Sequence, residues 1–220
     1  VSPRTPLRAI LFDWDGTLVD TAELSYRIYA ELFAGFGLRF DRRTFSATYS
    51  PDWYRTFEKV GLPRERWPEA DERWLALYAR QQVALLPGAR AALERVRDAG
   101  LAAALVTSGS RDRVRRDLER LRVRVLFSEV VCGDDAEHKK PHPEALLLAL
   151  GRLAVAAGEA AYVGDSPEDV AMARAAGAVA VGIPGGFPNR KRLRAAGPEL
   201  LAASLGEAID ALLARPRGVA

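Results

Sequence analysis

Five short apolar runs, each separated from the next by a longer segment, constrain this chain more than any other feature. They cover residues 7–12, 101–106, 126–131, 160–163 and 178–183 and are rich in Val, Ile, Leu and Ala. Runs of this length without polar alternation read as strands buried on both faces. From Pro87 onward, helical patterns at 89–99, 111–121, 143–156 and 167–176 alternate with those runs, the order that builds a parallel sheet wrapped by helices. Gly100 and Gly177 stand where two of those helices should end. The expected fold is a three-layer α/β domain with a mostly parallel sheet.

Residues 24–85 interrupt the alternation, because they are rich in Trp and Tyr, read as helical and hold no convincing strand. Helices are expected near 22–33, 53–60 and 64–83, with Gly61-Leu62-Pro63 separating the last two. Pro87-Gly88 marks the return to the main pattern. The chain thus reads as an α/β domain of residues 1–20 and 86–220 carrying an inserted helical cap of residues 21–85.

A chain of 220 residues, 49% of them hydrophobic and 28% charged, can bury a core without disulfides. Its one cysteine, Cys132, excludes an internal disulfide and is expected in a buried strand. The apolar runs are too short to cross a bilayer and no basic-then-apolar leader opens the chain, so the expected location is the cytoplasm, with no membrane partner. The net charge of +3 comes from 32 basic and 29 acidic residues spread through the same helices, which argues against a nucleic-acid partner. The basic cluster from Asn189 to Arg194 reads as a solvated helix face.

In an open parallel sheet, ligands bind beyond the carboxyl ends of the strands. Here those ends carry polar clusters: Asp13-Trp14-Asp15-Gly16-Thr17 after the first run, Thr107-Ser108-Gly109 after the second, and Gly164-Asp165-Ser166-Pro167-Glu168-Asp169 after the fourth. Lys139-Lys140-Pro141 opens the helix before the fourth run. A carboxylate placed like Asp13 against an apolar strand requires a cation or hydrogen bonds. Asp13 and Asp15, two apart in extended chain, share a side, and Gly16 lets the backbone turn away. Asp165 and Asp169 add oxygen ligands suited to Mg²⁺, while Lys140 and the hydroxyls of Thr107 and Ser108 suit an anion. Metal, anion grip and a spare carboxylate make a phosphoryl-transfer site.

With four motifs in this order, the chain resembles the haloacid dehalogenase superfamily, in its branch related to phosphoglycolate phosphatases. Residues 13–20 resemble the first motif, Leu105-Val106-Thr107-Ser108 the second, Lys140-Pro141-His142-Pro143 the third and residues 164–169 the fourth. The resemblance implies a Rossmann-like core in which Asp13 is the nucleophile and Asp15 the general acid and base, its carbonyl also binding metal. It implies Thr107 as the phosphate ligand, Ser108 as an alternative or addition with Gly109 beside them, and Lys140 as counter-charge. Asp165 and Asp169 would hold Mg²⁺ directly or through water. The implied activity is Mg²⁺-dependent hydrolysis of a small phosphorylated metabolite through an aspartyl phosphate, by a monomer or homodimer.

Departures from relatives narrow this further. Dehalogenases lack the second aspartate of the first motif, so Asp15 argues for phosphate chemistry. Beta-phosphoglucomutases carry a histidine shortly after the segment matching Asp20-Thr21-Ala22-Glu23, where this chain has Leu24-Ser25-Tyr26, and a mutase is the weaker alternative. Lys59 is the only lysine of the cap, which gives a Schiff-base hydrolase little support. A non-catalytic relative that binds a phosphorylated ligand is an alternative of another class. His138 and His142 lack a third ligand or helical spacing for zinc and are expected in surface or hydrogen-bonded roles. Tyr49 and Trp53 are expected to meet substrate, and Trp67 and Trp74 to pack cap helices. No serine-hydrolase elbow, Walker lysine loop or dinucleotide fingerprint is present. Phosphoglycolate, a sugar phosphate, a nucleotide and pyrophosphate all stay open as substrates.

Overall fold

A computed structural model describes residues 6–215, so residues 1–5 and 216–220 of the predicted α/β domain lie outside the described residues. Six parallel strands form one sheet: β1 (Ala9–Phe12), β2 (Ala102–Val106), β3 (Glu129–Val131), β4 (Ala160–Gly164), β5 (Val179–Gly182) and β6 (Leu200–Leu201). Their order is β3-β2-β1-β4-β5-β6. The α-helices are α1 (Ala22–Ala34), α2 (Arg42–Thr48), α3 (Trp53–Val60), α4 (Trp67–Ala79), α5 (Ala89–Asp98), α6 (Arg111–Leu121), α7 (Glu144–Leu153), α8 (Pro167–Ala176), α9 (Arg190–Ala195) and α10 (Leu205–Leu213).

The three layers follow from the two-residue period of a strand. Ile10 and Phe12 of β1 bury against Leu93 of α5, Val114 of α6 and Ile209 of α10. Ala9 and Leu11 point the other way, into a second cluster with Leu146 of α7, Met172 of α8 and Leu193 of α9. Both faces of the sheet are thereby covered, as the unbroken apolar runs require. The chain moves from β1 to β2 and β3 on one side and places β4 to β6 on the other, so the order reverses between β1 and β4. Phe12 pairs with both Leu105 and Val163, which brings the residues after β1, β2 and β4 out at the same edge.

Several boundaries differ from expectation for local reasons. The third run forms a strand only from Glu129, because Arg124–Leu126 winds into a 3₁₀ turn. Cys132 is buried but follows that strand. The helix expected at 64–83 opens as a 3₁₀ turn at Arg64–Arg66 and continues as α4, whose first turn accommodates Pro68. Strand β6 is too short to show periodicity, and α2 and α10 add to the expected helices. In the basic cluster, Arg190, Lys191, Arg192 and Arg194 are exposed as expected, whereas Asn189 is buried. Among the described residues, no helix is long and apolar enough to cross a membrane.

Helices α1 to α4 carry an aromatic core of their own. Phe33 is fully buried, with its ring centroid 4.8 Å from Phe40, 5.8 Å from Tyr29 and 5.9 Å from Phe57. The two chain crossings into this segment pair with each other: Asp20 N donates to Ala84 O at 3.0 Å and Leu86 N to Leu18 O at 2.9 Å, with Val19 and Leu85 bridged antiparallel. Deleting the Phe33 ring should remove about 3–5 kcal/mol of stability, the usual cost of a large buried aromatic. Urea denaturation of Phe33→Ala measures it, and a loss below about 1 kcal/mol would show that this aromatic core is not a tightly packed one.

Candidate active site

Asp13 leaves the carboxyl end of β1, its backbone N–H donating to Val163 O at 2.9 Å. The strand's alternation sends the neighbouring Trp14 into the core, edge-on to Phe127 at 6.5 Å, and leaves Asp13 and Asp15 free to face the strand ends. Gly16 then turns the chain with φ of 79°. A Cβ on Gly16 would lie 2.7 Å from Asp165 Oδ2, so only glycine lets this turn approach Asp165.

Lys140 ties the strand ends together. Its Nζ donates to Asp13 Oδ1 at 2.6 Å, to Asp169 Oδ1 at 2.8 Å and to the Tyr162 hydroxyl at 2.7 Å, and the phenol in turn donates to Val106 O at 2.8 Å. Asp169 Oδ2 accepts from both the N–H and the hydroxyl of Ser166, at 3.0 and 2.7 Å. Both oxygens of Asp169 are therefore held by protein donors. Asp15 faces another cation: Arg113 Nη1 and Nη2 donate to its two oxygens at 3.0 and 2.5 Å.

Burial and neighbouring charge pull these groups apart electrostatically. Burial pushes Asp13 up to about 7 although Lys140 opposes it. Burial, followed by the charges of Asp169 and Asp13, holds Asp165 well above the usual carboxylate range. For Asp15 burial acts upward too, but the Arg113 charge and hydrogen bonds outweigh it and hold the carboxyl below its ordinary value. Lys140 is likewise disfavoured by burial, yet Asp13 and Asp169 keep it raised and charged.

This arrangement fits a hard divalent cation. Asp165 Oδ2 is buried with no hydrogen-bond partner, and Asp13, Asp165 and Asp169 present oxygens within 4.8 Å of one another. A buried, unpartnered carboxylate oxygen beside two more carboxylates calls for positive charge. Asp13 and Asp165 are the better placed to supply ligand oxygens, since Asp169 is occupied by Lys140 and Ser166.

A cavity of about 350 Å³ lies over these strand ends, lined by Asp13, Asp15, Lys140, Asp165, Thr107, Ser108 and Gly109. The predicted site residues thus converge, with Asp169 just behind the wall. Thr107 Oγ1 accepts from Gly109 N at 3.1 Å, while Ser108 Oγ is buried without a partner. Tyr49 and Trp53 line the opposite wall. Trp67 stacks on Tyr54 and Trp74 on Tyr78 inside the helical segment, as expected, and Trp74 also lines the cavity. Lys59 is exposed and does not line it. His138 and His142 are exposed, and His138 Nδ1 meets Glu144 Oε2 at 2.7 Å. Glu144 adds the carboxylate that spacing alone did not show, although its two oxygens also accept the backbone N–H groups of Glu137 and His138.

Sequence reasoning missed Arg113, Tyr162, Asp71 and the role of Lys139. Lys139 Nζ donates to Gly133 O at 2.9 Å and stands 4.9 Å from the Trp53 ring centroid, so it bridges the two walls. Asp71 accepts the Tyr54 hydroxyl at 2.7 Å. Arg113 and Asp71 sit in helices and Tyr162 in an apolar run, where an ordinary surface or core role is the simpler reading, and Lys139 stands in the shadow of its neighbour Lys140.

A family model described as haloacid dehalogenase-like hydrolase matches residues 10–183. The chain belongs to this family. A probable phosphatase, IndB, of Dickeya dadantii is 31% identical over 211 residues, covering 92% of each chain. A phosphoglycolate phosphatase of Salmonella typhimurium is 29% identical over 236 residues, covering 94% of this chain and 92% of its own. The crystal structure of CbbY from Rhodobacter sphaeroides in complex with phosphate matches with a TM-score of 0.75 at 31% identity, covering 91% of this chain and 96% of that one. This haloacid dehalogenase-like hydrolase is accordingly an enzyme acting on phosphate esters.

The raised carboxyls give the metal-free hydrolase a pH signature. A carboxyl whose pKa rises on folding binds its proton more tightly in the folded state, so stability falls as pH climbs from the unfolded to the folded value. For Asp13 that window runs from 3.8 to about 7. In the presence of a chelator, the stability of the wild type relative to Asp13→Asn should decline across this window in thermal denaturation. A relative stability that rises with pH there would contradict the assignment.

Proposed function

We propose that the chain is a Mg²⁺-dependent phosphatase that hydrolyses a small phosphomonoester through a transient phosphate ester on Asp13. The observation that carries this reading is the sharing of Lys140 between Asp13 and Asp169 beside the unpartnered oxygen of Asp165, with Asp13, Lys140 and Asp165 lining the strand end of the cavity. That end offers a nucleophile, a fixed cation and a place for a second cation, the three requirements for attack on an anionic phosphoryl group. The phosphatase names of two relatives support the same chemistry.

In this reading an Asp13 oxygen attacks phosphorus while the bond from phosphorus to the substrate alcohol breaks. Asp15 gives its proton to the departing oxygen. Seating a phosphate dianion beside Asp15 adds negative charge and favours the protonated form needed for this step. Water then attacks the aspartyl phosphate, loses its proton to Asp15 and frees Asp13, so the general acid is restored for the next turnover. Thr107, Ser108 and Gly109 hold the phosphate oxygens, and Lys140 offsets charge on Asp13 and the phosphate. Asp13, Asp165 and the Asp15 carbonyl would hold Mg²⁺, with Asp169 supporting them through Lys140 and Ser166; the ion, when bound, supplies charge stabilisation to the phosphoryl group. Residues 21–85 act as a cap whose aromatic wall closes over the alcohol and excludes bulk water. Ser25, where mutases carry a histidine nearby, lines the cavity, so hydrolysis is preferred to phosphate transfer within a sugar.

Two measurements test the reading. Hydrolysis of p-nitrophenyl phosphate should require Mg²⁺, with Ca²⁺ a poor substitute because its larger, looser coordination misplaces the nucleophile; full activity after exhaustive chelation would sink the metal assignment. Asp13→Asn should leave no phosphoenzyme, whereas Asp15→Asn should lose about 10²- to 10⁴-fold in turnover, the usual worth of general acid–base catalysis. Phosphate trapped on any residue other than Asp13 would overturn the mechanism. A panel of phosphorylated metabolites ranked by kcat/KM then separates phosphoglycolate from sugar phosphates, nucleotides and pyrophosphate.

A further inference from the structure

Arg113 is a charged side chain of α6 that is only 4% exposed, although it belongs to a run of arginines whose neighbours Arg111, Arg115 and Arg116 are at the surface or half-buried. Its path to Asp15 crosses Gly109, where a Cβ would sit 2.1 Å from Nη2, so no larger residue fits there while the guanidinium keeps this position. Both ends of the fork are used on Asp15. The guanidinium carbon lies 4.8 Å from the ring centroid of Tyr78 and 5.8 Å from that of Trp74, both on α4. The Tyr78 hydroxyl donates to Asp117 Oδ2 at 2.8 Å, and Asp117 stands 4.0 Å from Arg113 Nη1. Among the described residues, Asp15 and Asp117 are the carboxylates that pair with Arg113.

We propose that Arg113 is a positioning residue for Asp15, holding its carboxylate in one orientation beneath the aromatic wall of the helical segment. The proposal rests on the acid–base reading of Asp15 given above. A buried ion pair is on balance about as stabilising as well-packed apolar groups, so stability alone does not account for this one. A bidentate fork, by contrast, fixes the plane of a carboxylate, which lysine cannot do. A proton donor gains from such restraint because misalignment by a fraction of an ångström costs rate.

A double-mutant cycle on phosphomonoester hydrolysis tests it. Arg113→Met should lower kcat roughly tenfold to a hundredfold for alkyl phosphates, whose poor leaving groups need the proton, and much less for p-nitrophenyl phosphate. In an Asp15→Asn background the same substitution should add less than about a twofold loss, because the group it positions is gone. Arg113→Lys should recover only part of the rate; should Arg113→Met not fold, Arg113→Lys carries the same cycle. Equal losses in both backgrounds, or equal losses for both leaving groups, would overturn the positioning role while leaving the phosphatase reading intact. Full activity of Asp15→Asn alone would overturn the acid–base reading and this proposal together.

Discussion

Lys140 is the one ammonium held among three buried carboxylates, and the strand ends are arranged around it. Asp13 is within 2.6 Å of it and Asp169 within 2.8 Å, while Asp165 completes the cluster without reaching a partner of its own through Oδ2. Burial and the crowding of like charges raise the proton affinity of Asp13 and Asp165, and a single lysine cannot neutralise all three carboxylates. Removing it would leave Asp13 and Asp169 buried without their shared partner, a penalty larger than the worth of the pair itself. Tyr162 and Ser166 belong to the same economy of hydrogen bonds: the phenol anchors the ammonium to the backbone of β2, and the serine fixes the far side of Asp169. The charge left over after Lys140 has been satisfied is what makes the site receptive to a divalent cation.

The fold was legible from the alternation of apolar runs and helices because the central strands β1, β2 and β4 are buried on both sides, a requirement that leaves a direct trace in residue type. Asp13, Thr107 and Asp165 were legible for a related reason: polar residues placed at the ends of such runs have only the sheet edge to occupy. Arg113 left no such trace. Arg111-Asp112-Arg113-Val114-Arg115-Arg116 has the look of a solvated helix, and what separates Arg113 is its place beside Val114, Asp117 and Leu118 on the face that packs inward. Tyr162 was hidden by the opposite effect, since a tyrosine in an apolar strand reads as core until its hydroxyl is seen to meet an ammonium. Asp169 shows a limit of motif reading: its spacing places it at the ligand cluster, but whether its oxygens are free depends on Ser166, whose capping box with Asp169 is a three-dimensional fact.

The cavity has two walls of different chemistry. The sheet side offers fixed charges and backbone at strand ends, whose positions follow from the register of β1 with β2 and β4. The facing side is aromatic, built from Tyr29, Tyr49, Trp53, Tyr54 and Trp74, with Asp71 adding a carboxylate. Rings of this size contribute contact area with few rotatable bonds, so the wall can be both apolar and well ordered. Lys139 reaches from the sheet side to Trp53 of the other wall and Arg113 to Trp74, so the seam is held by cations over rings as well as by apolar packing.

The paired crossings at Val19 and Leu85 place a short antiparallel ladder directly after the turn that carries Asp15, and Val19 also bridges to Asp15 itself. Hydrogen bonds across such a ladder resist sliding of one crossing past the other but not twisting about its length. A swing of helices α1 to α4 about this axle would leave the strand ends at rest and sweep the far rings through an arc. The seat for phosphate would then be the same for every ester, while the room for the alcohol would be set by an angle. Selection among alcohols would then be partly a matter of leverage: a bulky one would hold the arc open at its outer end, where a small excess in length turns into only a slight rotation at the axle.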